Sequence, residues 1–93
     1  MVVGTLLIEI TLPGNHSLKG KRRIVRSLMD RVRNRFNVAV AEVDHLDAWG
    51  IASIGVACVS NERAHVDEVL KEVIRWVESN HDGDVTGSDI RIV

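Results

Sequence analysis

Apolar side chains recur with a period of two from Val3 to Leu12: Gly4, Leu6, Ile8, Ile10 and Leu12 share one face, and Val3, Thr5, Leu7, Glu9 and Thr11 share the other. This alternation, rich in β-branched residues, predicts a strand, and Pro13-Gly14-Asn15 ends it. The period then changes. Ser17 is placed to cap a helix running to about Phe36, because its hydroxyl can accept from the free amides of the first turn. On a helical projection Ile24, Val25, Leu28, Met29, Val32 and Phe36 fall on one broad arc. Val38 to Asp44 alternates again, His45 to Gly50 forms a hairpin connection, and Ile51 to Val59 supplies a third strand. Gly55 inside that strand weakens it unless a neighbouring helix approaches closely there. Ser60-Asn61 opens a second helix with an apolar stripe of Val66, Val69, Leu70, Val73, Ile74 and Val77. Asn80, Asp82 and Gly83 mark its exit, and Asp84 to Val93 forms a last strand carrying Val85, Ile90 and Ile92.

The order β, α, β, β, α, β predicts an α+β fold, the ferredoxin-like βαββαβ sandwich: a four-stranded antiparallel sheet with two helices on one face, each amphipathic helix covering it. The first and third strands are then central. The second and fourth lie at the edges. The other sheet face retains apolar residues such as Leu7, so self-association through that face or an edge strand is one expectation. At 93 residues, 45% hydrophobic and 27% charged, residues 1–93 read as a single globular domain.

Charge is unevenly distributed. Between Ser17 and Phe36 lie eight of the 12 cations but one of the 13 acids, although the formal net charge is only -1. Lys19, Arg22, Arg23, Arg26 and Arg33 fall on the helix side opposite the apolar arc, while Lys21, Arg31 and Arg35 lie nearer the core or its flanks. The first group is the candidate anion-binding or nucleic-acid-binding set, able to meet successive backbone phosphates. A solvated helix face, its methylenes covering the apolar border, explains the same pattern. No tyrosine and no interleaving of aromatic and basic residues on a strand supports base reading, so binding to shape and backbone is the expected form. Gly20 in HSLKGKRR belongs to no Gly-Lys-Ser/Thr phosphate loop and no dinucleotide fingerprint.

Candidate chemistry is sparse. Glu42, Asp44, His45 and Asp47 gather at a strand end and turn; Glu42 and Asp44 would share a strand face and could approach one cation with His45 or Asp47. The spacing lacks a tetrahedral zinc pattern, and acidic turns also arise because aspartates accept from nearby amides. His16, His65 and His81 define no acid and base pair, with His65 and His81 read as helix-surface residues. No catalytic residue and no cofactor is assigned. Cys58, the single cysteine, excludes an intramolecular disulfide and a multi-cysteine zinc site, and reads as a buried small hydrophobe. Trp49 and Trp76 either complete the core rim or contact a partner. The first residues carry Glu9, lack a cationic leader and are too few to span a bilayer, which predicts a cytoplasmic protein without a membrane partner.

HSLKGKRR, followed by RNRFNVAVAEVDHLDAW and ASIGVACVSN, resembles the small bacterial family known as domain of unknown function 503, the YlxP-like proteins. The similarity runs from about Gly4 into the last strand. Its matching residues are His16, Ser17, Leu18, Lys19, Lys21 and Arg22, then Arg35, Phe36, Asn37, Val38, Ala41, Glu42, Val43, Asp44, Asp47 and Trp49. Gly20 and Gly50 depart from it, since longer polar side chains are usual there. The resemblance implies a ferredoxin-like fold and genes lying near those for ribosome-binding factor A and translation, with no established reaction. It directs the leading expectation: a non-enzymatic accessory protein of translation or ribosome maturation, its basic helix contacting rRNA, a ribosomal protein or another acidic surface. The alternatives are a self-associating structural or regulatory protein, a homodimer through the sheet face or an edge, and, third, a metal-dependent enzyme using the Glu42 cluster.

Overall fold

A computed structural model of the chain describes residues 1–80 and 83–93. Its elements follow the expected order: β1 (Val2–Thr11), α1 (Leu18–Arg35), β2 (Ala39–Asp44), β3 (Ile51–Ser60), α2 (Arg63–Asn80) and β4 (Asp84–Ile92). His81 and Asp82, expected on the surface and at the exit of the second helix, lie outside the described residues. The strands form one antiparallel sheet in the order β2-β3-β1-β4. This is the ferredoxin-like sandwich, with β1 and β3 central.

Register decides which side chains meet the helices. Leu6, Ile8 and Ile10 stand opposite Val56, Ile54 and Ala52, and paired residues of antiparallel strands project to the same side. This layer meets Val25, Leu28 and Val32 of α1 and Val66, Leu70, Val73 and Val77 of α2, all buried. Burial of each such side chain contributes about 1.5–3 kcal/mol. Cys58 belongs to the same buried layer.

The glycine that admits a helix is Gly4, not Gly55. A Cβ on Gly4 would lie 2.2 Å from Val66 Cγ1 and 2.9 Å from Leu70 Cδ1, so α2 rests against bare backbone. Gly55 instead faces away from the helices, where a Cβ would meet Val43 Cγ1 at 2.8 Å. No helix therefore approaches Gly55: its parity in β3 is opposite to that of Ile54 and Val56, which face the core.

A correction concerns β2. The register slips between Glu42 and Asp44, so Glu42 pairs with Ile54 of the helix-covered layer whereas Asp44 pairs with Ser53 of the opposite one. This β-bulge separates two carboxylates that strict alternation would align.

Candidate functional site: the cationic face of α1 and the loop bound to it

The α1 helix begins where Ser17 Oγ accepts from the Gly20 amide at 3.0 Å, in extended backbone at φ -146° and ψ 149°. Gly20 thus serves the cap, and not a phosphate loop. Its missing side chain has a second consequence. A Cβ there would lie 2.3 Å from Asn15 Oδ1, so Asn15 occupies the space that a larger residue would take.

Lys19, Arg22, Arg23 and Arg26 are exposed and line one open groove along α1, together with Ser27, Asp30 and Arg31. None of the four has an ion-pair partner among the described residues. Arg33 stands apart from them. Its Nη2 donates to Val40 O at 2.9 Å and its Nη1 lies 3.2 Å from Asp30 Oδ1, which ties the end of α1 to β2. Arg31 is also engaged: it donates to Asn80 O at 2.8 Å and sits 5.7 Å from the Trp76 ring. Arg35 is exposed and lies away from the groove, in a cleft with Phe36 and Trp76.

The first of these cations opposes helix stability. The first turn of α1 contains no acid, yet the N-terminal end of a helix carries partial positive charge and favours carboxylates by about 0.3–1 kcal/mol each. Lys19 adds to that potential where an acid would relieve it, and Arg22, Arg23 and Arg26 follow over the next two turns. The result is a concentration of positive charge on the first half of one helix.

Lys21 points the other way. It is fully buried, and its ammonium donates to His45 O at 2.5 Å and Ala48 O at 2.6 Å. The third contact is an ion pair, with Glu42 Oε2 at 2.9 Å, where the carboxylate oxygen accepts no aligned hydrogen bond. The ammonium thus has three oxygens of β2 and the following loop around it, two as hydrogen-bond acceptors and one as its counter-charge. That loop is a tight turn: Ala48 N donates to His45 O at 3.0 Å, and His45 takes the left-handed conformation at φ 58°. Asp44 Oδ1 accepts from His45 N at 2.7 Å, while His45 Nδ1 lies 2.9 Å from the buried Ser53 Oγ.

These contacts match the acidic-turn reading of Glu42, Asp44, His45 and Asp47 and do not gather the four around one cation. Glu42 is turned to Lys21, Asp44 sits across the bulge and His45 is directed to Ser53. No group of three metal-ligating side chains forms among the described residues.

The two tryptophans differ. Trp76 is half-buried and meets Phe36 edge-on, ring centroids 6.3 Å apart, so it finishes the core rim. Trp49 is 48% exposed. Its carbonyl accepts from Asn15 Nδ2 at 2.6 Å, and its ring lies 5.5 Å from that of His16 at 58°. An aromatic pair absent from any local sequence pattern therefore stands at the start of α1.

Lys21 was legible only in part. Its position coincides with the apolar arc, one turn before Val25, and a lone cation at such a position requires a buried acid. Glu42 has the matching parity on β2. The His16–Trp49 pair left no such signal, because it depends on how the hairpin loop is held.

The fold and site define a two-layer α+β sandwich whose first helix offers a cationic groove and binds an ordered loop at its start. Among the described residues, no helix is long and apolar enough to cross a membrane. The chain belongs to the family described as "Protein of unknown function (DUF503)", which it matches over residues 3–90. It is 36% identical over 78 residues to "Uncharacterized protein YlxP" of Bacillus subtilis (strain 168), covering 84% of this chain and 85% of that protein. Among solved structures, the de novo designed protein Ferredog-Diesel aligns with 98% of this chain and 83% of its own, at 16% identity and a TM-score of 0.45.

Proposed function

We propose that the protein is a cytoplasmic, non-enzymatic accessory of translation or ribosome maturation that holds RNA backbone in the α1 groove. The observation that carries this reading is the set of Lys19, Arg22, Arg23 and Arg26, four exposed cations without ion-pair partners among the described residues, on the N-terminal half of one helix. Phosphate is the anion such a set fits, since it neutralises several cations along a line without being buried. Four contacts to a single strand give a slope of about -3 in log affinity against log salt, roughly a 50-fold loss between about 50 and 200 mM. Anisotropy of a fluorescein-labelled rRNA fragment reads this directly. R22A/R23A/R26A should flatten the slope to about -1 with little change in unfolding, since exposed substitutions stay within about 0.5 kcal/mol. Salt-independent binding, or full binding by that variant, overturns the assignment. So does crosslinking in growing cells that captures an acidic ribosomal protein through the groove and no rRNA.

The open face of the sheet supports a second reading, self-association. Leu7, Val43 and Val59 are exposed there at 39%, 53% and 63%, around a trough floored by Ala39, Ala41, Gly55 and Ala57. Four strands of up to ten residues give a footprint of about 600 Å², near the roughly 800 Å² per partner of a standard interface. Small and bulky residues on the same face let two copies interdigitate. Sedimentation should show a dimer that L7K/V43K abolishes and R22A/R23A/R26A preserves; a monomer well above micromolar concentration counts against it.

A further inference from the structure

We infer that Trp49, flanked by His16, is a base-stacking platform that makes the α1 groove select unpaired RNA over duplex. The inference rests on the phosphate-contact reading and adds to it what the strand must look like. Trp49 remains 48% exposed although the loop that carries it is fixed at several points. Asn15 Nδ2 donates to the Trp49 carbonyl, Lys21 Nζ donates to that of Ala48, and His16 meets the ring 5.5 Å away. A large apolar ring held in place yet left wet is preorganised to receive a flat partner.

The anchors and the groove are one continuous segment. Asn15, His16 and Lys21 hold the loop, and Lys19, Arg22, Arg23 and Arg26 follow along the same helix. Lys19 and Arg26 are separated by about 10 Å of helix, room for a few phosphates, and His16, whose ring meets the indole, lies just before the helix that carries them. Every base has a face that an aromatic ring can cover, so such a platform is tolerant of sequence. A continuous A-form duplex keeps its bases stacked on one another and offers Trp49 none. The aromatic surface that no strand pattern supplies is thus assembled from residues 33 positions apart.

The chain has two tryptophans, so W76F leaves Trp49 as the only indole reporter. That variant is titrated with an oligoadenylate of roughly ten nucleotides and with a blunt RNA duplex of matching length. The single strand should quench Trp49 emission and bind more tightly. In the otherwise native chain W49A should weaken single-strand binding by about 5- to 150-fold, W49F should recover part of it, and duplex affinity should hold within about twofold under the same relation. If both RNAs bind and W49A takes up the single strand as the native chain does, the platform is wrong and the groove stands. If neither RNA binds the native protein, the groove assignment fails and takes the platform with it. Binding of polyglutamate as tightly as oligoadenylate, with equal quenching, overturns the selection of RNA.

Discussion

Replacing Lys21 by methionine keeps the length and most of the volume of a fully buried side chain while removing its charge and donors. Removing one partner of a buried ion pair costs about 3–5 kcal/mol. Glu42 retains 15% side-chain exposure and can turn toward water, which places that contribution at or below the lower end, about 2–3 kcal/mol. The carbonyls of His45 and Ala48 each lose a charged donor, adding about 0.5–1 kcal/mol apiece where the loop admits water. K21M is therefore expected to destabilise the fold by about 3–5 kcal/mol, lowering the urea midpoint by about 2–3 M. K21A also removes three buried methylenes at about 0.8 kcal/mol each, bringing the loss near the whole stability of a chain this size. K21M/E42L removes both charges and should recover about 2 kcal/mol relative to K21M, leaving mainly the carbonyl losses. Urea unfolding followed by circular dichroism measures all three. A K21M midpoint indistinguishable from the native one would refute the reasoning, because no buried ammonium with three oxygen partners can be lost without cost.

Three further outcomes follow from the packing. G4A should cost about 1–3 kcal/mol, since the added Cβ meets Val66 and Leu70, both fully buried. G55A meets Val43, which is 53% exposed and free to rotate, so thermal unfolding should find it neutral or up to about 1 kcal/mol more stable than the native chain. R33A should lower stability by about 0.5–1.5 kcal/mol through loss of its bond to Val40 O, yet leave RNA affinity within about twofold, whereas R22A and R26A each reduce the salt slope by about 0.7.

Four of the six elements were legible because each carries one period from end to end: two in β1 and β3, that of a helix in α1 and α2. Ser17 marked the start of α1 for a reason that also holds in three dimensions, the Gly20 amide bond. What escaped the sequence has a common cause. The bulge after Glu42 is a local slip that inserts Val43 without breaking the alternation of residue types, so Glu42 and Asp44 appear to share a face and do not. Arg33 fits the cationic arc by angle, but the arc does not show that β2 passes close enough for Val40 O to take its guanidinium. Gly55 left open whether a helix approaches it, and the close approach falls at Gly4 instead, because Gly4 shares the core-facing parity of Leu6 and Ile8 and Gly55 does not.

These local departures converge on one device. The bulge frees Glu42 to stay on the helix side while the chain turns at His45, and the turn presents the carbonyls of His45 and Ala48 to the same ammonium. Lys21, which touches no solvent, therefore fixes the loop to α1 directly ahead of Trp49. Its charge is matched by Glu42 and contributes little to the outward field. Loss of Lys21 should consequently spare phosphate attraction and loosen the indole. At a temperature where K21M/E42L remains folded, its affinity for duplex RNA should stay within about twofold of native, while its preference for a single strand falls by part of the roughly 5- to 150-fold that W49A loses. Unchanged preference in the double variant, with its loop released, would show that Asn15 and His16 alone position Trp49.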